Sequence, residues 1–393
     1  MNATPRHALV IGAGLAGAAV CAALARRGWR LTLIDAASGA AQAASALPVG
    51  MLSPHVTRAP TASSRLCDIG VAATRAELAR LLPSGAGWQD TEVQNLLDDP
   101  GQWPATLVRP GALVQAWLQE AAQTSVLETL WNASVDRLEA HTSATGQHQW
   151  VALNANGQVL GQAPHAVIAA AFGSRALLTP LAPQAHPQAW PLRPVKGQMS
   201  LAALSGPALA THAVRQNGVF VPCFEDPGLA PAWPTRIWAM GSTYERDVNS
   251  THTTAEAHAR NGESLAQMNA AAAQGLQAAQ AQGRLLGWAQ VRCTSLDRLP
   301  LAGAVPDLAR LGDPSHRALL HRGRLQLGQV PRLPGLFSLC ALGSRGLTLA
   351  LPLAQQLAAQ MDGAPPTLEA SLLRAVDPAR FAWRQAKRTP TPA

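Results

Sequence analysis

The chain has 393 residues, enough to bury a substantial core and to divide into two domains. Its net charge is +8, which suits an anionic partner such as nucleic acid but equally a basic enzyme that meets none. No apolar run reaches the length of a membrane span, and the amino-terminal segment reads as a first strand rather than a cleavable signal. The five cysteines form no CxxC pair and the histidines no metal-ligand spacing, so neither a disulfide scaffold nor a metal site is indicated and a reducing cytoplasm is expected.

Residues Ala8 to Ala36 set the organisation. An apolar run turns through Gly12, Gly14 and Gly17, continues as a small-residue helix to about Arg27, and is followed by a second apolar run, Leu31 to Ile34, that ends on Asp35. Strand, glycine turn, helix, strand and acid together make a dinucleotide-binding unit. Gly12 permits the tight turn, Gly14 leaves room for a pyrophosphate, and Gly17 lets helix and strands approach. Ala13, Leu15 and Ala16 complete the turn, whose free N–H groups suit phosphate. Asp35, with Ala36 beside it, is placed to accept hydrogen bonds from an adenosine ribose.

A small, polar segment (Ser38 to Ala46, with Ser45 near its end) leads to a Gly/Pro-punctuated apolar stretch, Leu47 to Val56. Its Gly50, Met51 and Leu52 suit a segment that passes under a cofactor. Helical periodicity resumes over Leu66 to Leu82. Residues 83–110 read as mixed and turn-rich, and a short helix covers Ala112 to Ala122. Val135 to Leu160 reads as a small antiparallel meander, and Ala166 to Gly173 as a buried strand that returns to the first sheet, with Ala170 and Gly173 near the ligand. Strand-like runs between 190 and 250 suggest the larger sheet of a substrate domain. Thr253 to Gln282 reads as one long surface helix. Trp288 to Asp307 returns towards the ligand. Leu336 to Met361 is again strand, glycine turn and helix, which brings Gly343, Ser344, Arg345, Gly346, Leu347 and Thr348 to the cofactor. The tail from Thr389 reads as frayed.

The first unit, the Ala166–Gly173 return strand and the terminal GSRGL turn together resemble the FAD-dependent D-amino-acid oxidase and glycine oxidase superfamily, from Leu9 to about Arg384. GSTYERD (Gly241–Asp247), VRCTSLDRLPLAGAVPD (Val291–Asp307), ALGSRGLTLALPLA (Ala341–Ala354) and LLRAVDPARFAWRQAKR (Leu372–Arg388) are similar to the oxidoreductase domain of the bifunctional tRNA 5-methylaminomethyl-2-thiouridine biosynthesis family. That family's ASGNxQGxLYP pattern is met at Gly50, Leu52 and Pro54, but its Asn and Tyr are not. Its amino-terminal methyltransferase has no room before residue 8, so a separate methyltransferase is the expected partner.

The resemblance implies an α/β fold in which a glutathione-reductase-type, Rossmann-like FAD-binding domain (1–80, 162–192 and 325–393) is interleaved with an α+β substrate domain on a mixed or antiparallel sheet (81–161 and 193–324). It implies an oxidoreductase that acts on the C–N bond of an N-substituted glycine, either the carboxymethylaminomethyl group of wobble uridine in tRNA or a small free amine or amino acid. A non-enzymatic interaction module is the remaining alternative. Oxidation of a neutral amine by hydride loss asks the protein for orientation rather than for acids and bases. Arg292 matches the arginine that grips the substrate carboxylate in the glycine-oxidase pattern, or else forms an ion pair with Asp297 or is a solvated strand-end arginine. Tyr244 lines the substrate cavity or is a half-buried sheet tyrosine. Arg345 meets an anionic substrate or the flavin, or sits in a surface loop. Lys196 touches substrate or RNA phosphate, or forms a simple ion pair. Cys293 does not match the flavin-attaching cysteine of sarcosine oxidases, so FAD is expected to be non-covalent.

Overall fold

A computed structural model describes residues 6–388 apart from 98–99, 143–145, 184 and 186; the tail expected to fray from Thr389 lies outside them. The chain opens with β1 (His7–Ile11), α1 (Leu15–Ala25) and β2 (Arg30–Ile34). β3 (Gly50–Leu52) and α2 (Ala62–Leu81) follow, the helix starting on a capping box between Thr61 and Ser64. Residues 83–110, read as turn-rich, instead hold a long hairpin of β4 (Trp88–Asn95) and β5 (Gly101–Val108). Its buried Asn95 and Thr106 interrupt the apolar alternation by which a strand is recognised.

Next come α3 (Pro110–Thr124), β6 (Leu127–Leu130) and the expected meander, β7 (Arg137–Thr142), β8 (His148–Leu153) and β9 (Val159–Ala163), a separate three-stranded antiparallel sheet. β10 (His165–Ile168) is shorter than the run to Gly173 suggested, because the backbone turns at Ala169 and passes into a 3₁₀ turn, Ala171–Gly173. The short helix α4 (Ser174–Leu178) leads on to β11 (Leu192–Ala203), β12 (Ala213–Gln216), β13 (Gly218–Glu225), β14 (Arg236–Gly241) and β15 (Glu245–Arg246). The single long helix expected over Thr253–Gln282 is two, α5 (Ala255–Met268) and α6 (Ala270–Ala281). Asn269 separates them in extended conformation, and its side chain accepts from Ala272 N. Asparagine competes with helical backbone for such bonds and so favours caps over interiors.

The chain ends with β16 (Leu286–Ser295), β17 (Leu301–Pro306), α7 (Leu308–Gly312), α8 (Pro314–His321), β18 (Arg332–Cys340), α9 (Gly346–Met361), α10 (Ala370–Val376) and α11 (Arg380–Arg388). Strand order in the first sheet is β17-β18-β10-β1-β2-β6, parallel except for β17. Two of its strands, β6 and β17, come from ranges that the sequence reading gave to the substrate domain. The second sheet runs β15-β11-β14-β13-β12-β4-β5-β3 with β16 on β11, antiparallel except between β12 and β4.

The fold is thus α/β, a Rossmann-like sheet interleaved with a mixed-sheet domain. Every residue of α1 is buried, because α3 and α9 cover the faces that the first sheet leaves free. An apolar core continues from α1 through β2 and β18 into α9. Among the described residues no helix is long and apolar enough to cross a membrane.

Candidate active site

The carboxyl ends of β1, β10 and β18 open on one cavity of about 1210 Å³. That exceeds the roughly 300–1,000 Å³ of a pocket for a single drug-sized ligand and leaves room for a dinucleotide's reactive end with a substrate. Outside the strand ends of such a sheet is where ligands bind in open α/β folds.

At β1 the turn is set by Gly12, with φ of +105°. A Cβ there would lie 2.6 Å from Ala169 O, and one on Gly17 would lie 1.8 Å from Gly12 O, so helix, turn and β10 close up only on glycine. Asp35, at the end of β2, holds the turn from below: one carboxylate oxygen accepts from Ala13 N (2.6 Å) and the other from Ala37 N (2.7 Å). Each oxygen keeps a lone pair for another donor. Ser45 Oγ accepts from Leu15 N (3.0 Å) and so caps the first turn of α1.

The opposite wall is formed by β11, β14 and β16. Arg292 stands opposite Val195 in the ladder, and its guanidinium lies over Gly197, where a Cβ would sit 2.5 Å from Nη2. Nη1 donates to Ser242 Oγ (2.8 Å) and Ser344 Oγ (3.0 Å), and Nη2 to Thr243 O (2.8 Å). Nε is buried without a partner, and among the described residues no carboxylate pairs with Arg292. Burial pulls its pKa below the ordinary arginine value, against a smaller raising effect from Tyr244. The Tyr244 ring, 47% exposed, stands with its centroid 5.4 Å from the Arg292 Cζ.

The ion pair between Arg292 and Asp297, one of the sequence readings, is absent because Asp297 faces Arg380. Arg380 Nε and Nη2 reach the two carboxylate oxygens at 2.9 and 2.8 Å, and further N–H groups reach the carbonyls of Leu299, Pro300 and Asp377. Burial works to raise the Asp297 pKa, but Arg380, Ser295 and Leu299 outweigh it and the net shift is downward.

The structure brings Gly14, Leu15, Ala16, Ser45, Gly50, Met51, Tyr244, Arg292, Gly343, Ser344, Gly346 and Leu347 to the cavity wall. Gly12, Ala13, Gly17 and Asp35 frame the turn behind it. Leu52 is in the core and Ala36 is exposed. Ala169 and Ala171 line the cavity rather than Ala170 and Gly173. Thr348 is buried against α2, where a Cβ on Gly70 would strike its carbonyl. Lys196 does not reach the cavity; it is 3% exposed and its Nζ lies 3.8 Å from Glu245 Oε2.

Arg345 turns away from Ser344 and approaches His55 Nε2 at 3.3 Å. Sequence reasoning missed His55, Arg215 and Ser242, all on the wall. His55 and Ser242 fall inside stretches already singled out. Arg215 is a lone cation before an Asn-Gly turn, and nothing in its neighbours announces it. Cys293 also lines the wall, and burial, assisted by Cys340, pushes its thiol up, so it is no nucleophile.

Comparison with known proteins agrees with this geometry. The model of the family described as FAD dependent oxidoreductase matches residues 7–105 and 102–360. The tRNA 5-methylaminomethyl-2-thiouridine biosynthesis bifunctional protein of Delftia acidovorans is 36% identical across 97% of this chain, and that of Ralstonia nicotianae is 34% identical across 96% of it. The chain spans 62% and 61% of the length of these relatives. Among solved structures, the glycine oxidase of Geobacillus kaustophilus superposes with a TM-score of 0.67 at 16% identity, covering 95% of this chain and 98% of that one. The iminodiacetate oxidase of Chelativorans sp. does so at 0.64 and 18%, covering 94% and 98%; both likenesses are of fold.

Proposed function

The chain belongs to the FAD-dependent oxidoreductase family, and from that premise we propose that it oxidises the C–N bond of an N-substituted glycine, with the carboxymethylaminomethyl group of wobble uridine in tRNA as the preferred substrate. The carrying observation is Arg292: a desolvated guanidinium on the cavity wall, with a free N–H and no acid of its own. Such a group costs free energy to bury alone and is balanced when a carboxylate arrives.

Bound FAD supplies the two-electron acceptor for a hydride leaving the carbon beside the amine nitrogen. The residues present fit that cofactor. The Gly12–Gly17 turn and the start of α1 suit its pyrophosphate, the spare lone pairs of Asp35 suit a ribose, and the Gly343–Leu347 turn opens on the far end of the same cavity. Non-covalent attachment is supported by the two thiols on the wall, Cys293 and Cys340, both buried and both pushed up by that burial.

Arg292 supplies the positive charge that the glycyl carboxylate pairs with, and Ser242, Ser344 and the carbonyls of Thr243 and Lys196 fix its guanidinium. Tyr244 covers the guanidinium from the solvent side. The wall offers donors for orientation and few acids or bases, as hydride loss from a neutral amine requires. The tRNA substrate is supported by the relatives' names and by the +8 charge, and it carries a cytoplasmic location with it. A methyltransferase, on the same polypeptide or separate, then acts on the product amine.

The second reading, a small free amine such as sarcosine or glycine, is favoured by the departure from the family pattern over Ser45–Pro54. Anaerobic mixing of the holoenzyme with tRNA bearing carboxymethylaminomethyluridine, glycine, sarcosine and D-amino acids separates the two. Bleaching by the modified tRNA alone supports the first reading; bleaching by a free amine alone replaces it with the second.

A further inference from the structure

We propose that Arg215 and His55 on the cavity wall, with Arg345 bonded to His55 but not itself lining the cavity, form a second oxyanion subsite for an anionic group that the substrate carries besides its glycyl carboxylate; the inference rests on the reading of Arg292 given above. Arg215, on β12, is fixed on one side only. Nε donates to Asn95 Oδ1 (3.1 Å), and Nη1 donates to Ser53 Oγ (3.1 Å) and Pro54 O (2.9 Å). Nη2 has no partner among the described residues. Arg345 enters from the turn before α9 and donates to His55 Nε2 (3.3 Å). Burial lowers the pKa of His55, and Arg345 and Arg215 lower it further, so the imidazole is neutral and accepts that bond. Both guanidiniums therefore act on one ring.

No carboxylate lies within ion-pair distance of either guanidinium among the described residues. Exposed Asp68 is the acid that offsets the two arginines at His55. Arg58 lines the same stretch of wall and adds to the positive field. Burial lowers the pKa of Arg215, and the like charge of Arg345 lowers it further. An oxyanion beside them removes both penalties.

The subsite is distinct from the Arg292 clamp yet belongs to the same cavity. Ser344 points to Arg292 while the next residue, Arg345, points to His55, so one turn serves both. A simple amino acid has a single carboxylate and leaves the second subsite idle. A nucleotide phosphate, or the second carboxylate of a dicarboxylic amine, fills it.

The test uses FAD-loaded protein and matched substrates that differ in one anion. Carboxymethylaminomethyluridine is compared with its 3′,5′-bisphosphate, and sarcosine with iminodiacetate, by anaerobic flavin reduction. In the wild type the added anion tightens binding about tenfold or more in at least one pair, as a charge-assisted contact does. The pair that responds identifies phosphate or carboxylate as the source. Arg215→Gln abolishes the advantage, and Arg215→Lys restores part of it. A merely structural Arg215 would lower FAD occupancy and weaken both members of a pair equally, leaving the ratio intact, and that result overturns the subsite. So does a wild type with no advantage in either pair.

If no amine bleaches the flavin, the proposed reaction fails, and the subsite is judged separately by titrating the oxidised holoenzyme with inorganic phosphate. A saturable change in flavin absorbance that Arg215→Gln removes supports the subsite; no change in the wild type overturns it.

Discussion

Two arginines, 88 positions apart, one fully buried and one half-buried on a cavity wall, show how the groups around a guanidinium set its charge balance. Arg380 is fully buried and spends its guanidinium on both oxygens of Asp297 and on three backbone carbonyls. Arg292 lies on the strand that leads into that same Asp297, yet it meets only hydroxyls and carbonyls and keeps one N–H unmatched. The first arginine closes its charge inside the chain and ties α11 to the β16–β17 connection. The second leaves its charge open on a cavity wall. The two differ in depth and, more sharply, in the presence or absence of an internal acid.

Removing the acid from the closed pair is expected to have the largest effect on stability. Asp297→Asn leaves Arg380 buried without a counter-ion and should cost about 3–5 kcal/mol, read as a fall in the denaturant midpoint. The same pair gives the fold an acid limit. The folded-state pKa of Asp297 is depressed, so its contribution is complete above the ordinary carboxylate value and is lost as pH falls through the lower folded value. Below about pH 5 the wild type should therefore lose stability more steeply than Asp297→Asn, whereas Arg292→Ala should keep the wild-type slope. An altered slope in Arg292→Ala would erase the distinction between the two arginines.

A smaller effect is expected at Gly197, whose missing Cβ leaves the space that the Arg292 guanidinium occupies. Gly197→Ala should destabilise by roughly 1–3 kcal/mol through overpacking. It should also slow flavin reduction more than it lowers FAD content. Smallest is Ser242→Ala, which removes one of the bonds that aim Arg292. A loss of about 0.5–1.5 kcal/mol in kcat/KM, with unchanged melting temperature, is expected. A fall in melting temperature without a kinetic effect would show that this serine supports the sheet and not the clamp.

Much of this was legible in the sequence, for identifiable reasons. Gly12 and Gly17 are dictated by backbone approach, so spacing alone announces the turn, and Asp35 follows because it ends the next strand. The Gly343–Gly346 turn is legible in the same way, being strand, glycine and helix over a short window. Partners far apart in the chain are not. Asp297 faces Arg380, 83 residues on, and no local pattern distinguishes that arginine from Arg292, five residues back. Lys196, read as a ligand contact or a simple ion pair, takes the ion pair with Glu245; in an apolar strand, the parity that decides between cavity and core depends on which neighbours cover each face. His55 meets Arg345, and Arg215 is held beside it by Ser53 and Pro54, only through contacts far apart in the chain. The break at Asn269 was readable from its capping chemistry, but the surrounding alanines mask it.

The central claim is that Arg292 waits for the substrate carboxylate. Stopped-flow reduction of FAD-replete Arg292→Ala by the substrate that bleaches the wild type tests it most directly. The account predicts normal FAD content and a transition-state penalty of about 2–5 kcal/mol, only partly recovered in Arg292→Lys. Reduction of the flavin-loaded variant at the wild-type rate would contradict it.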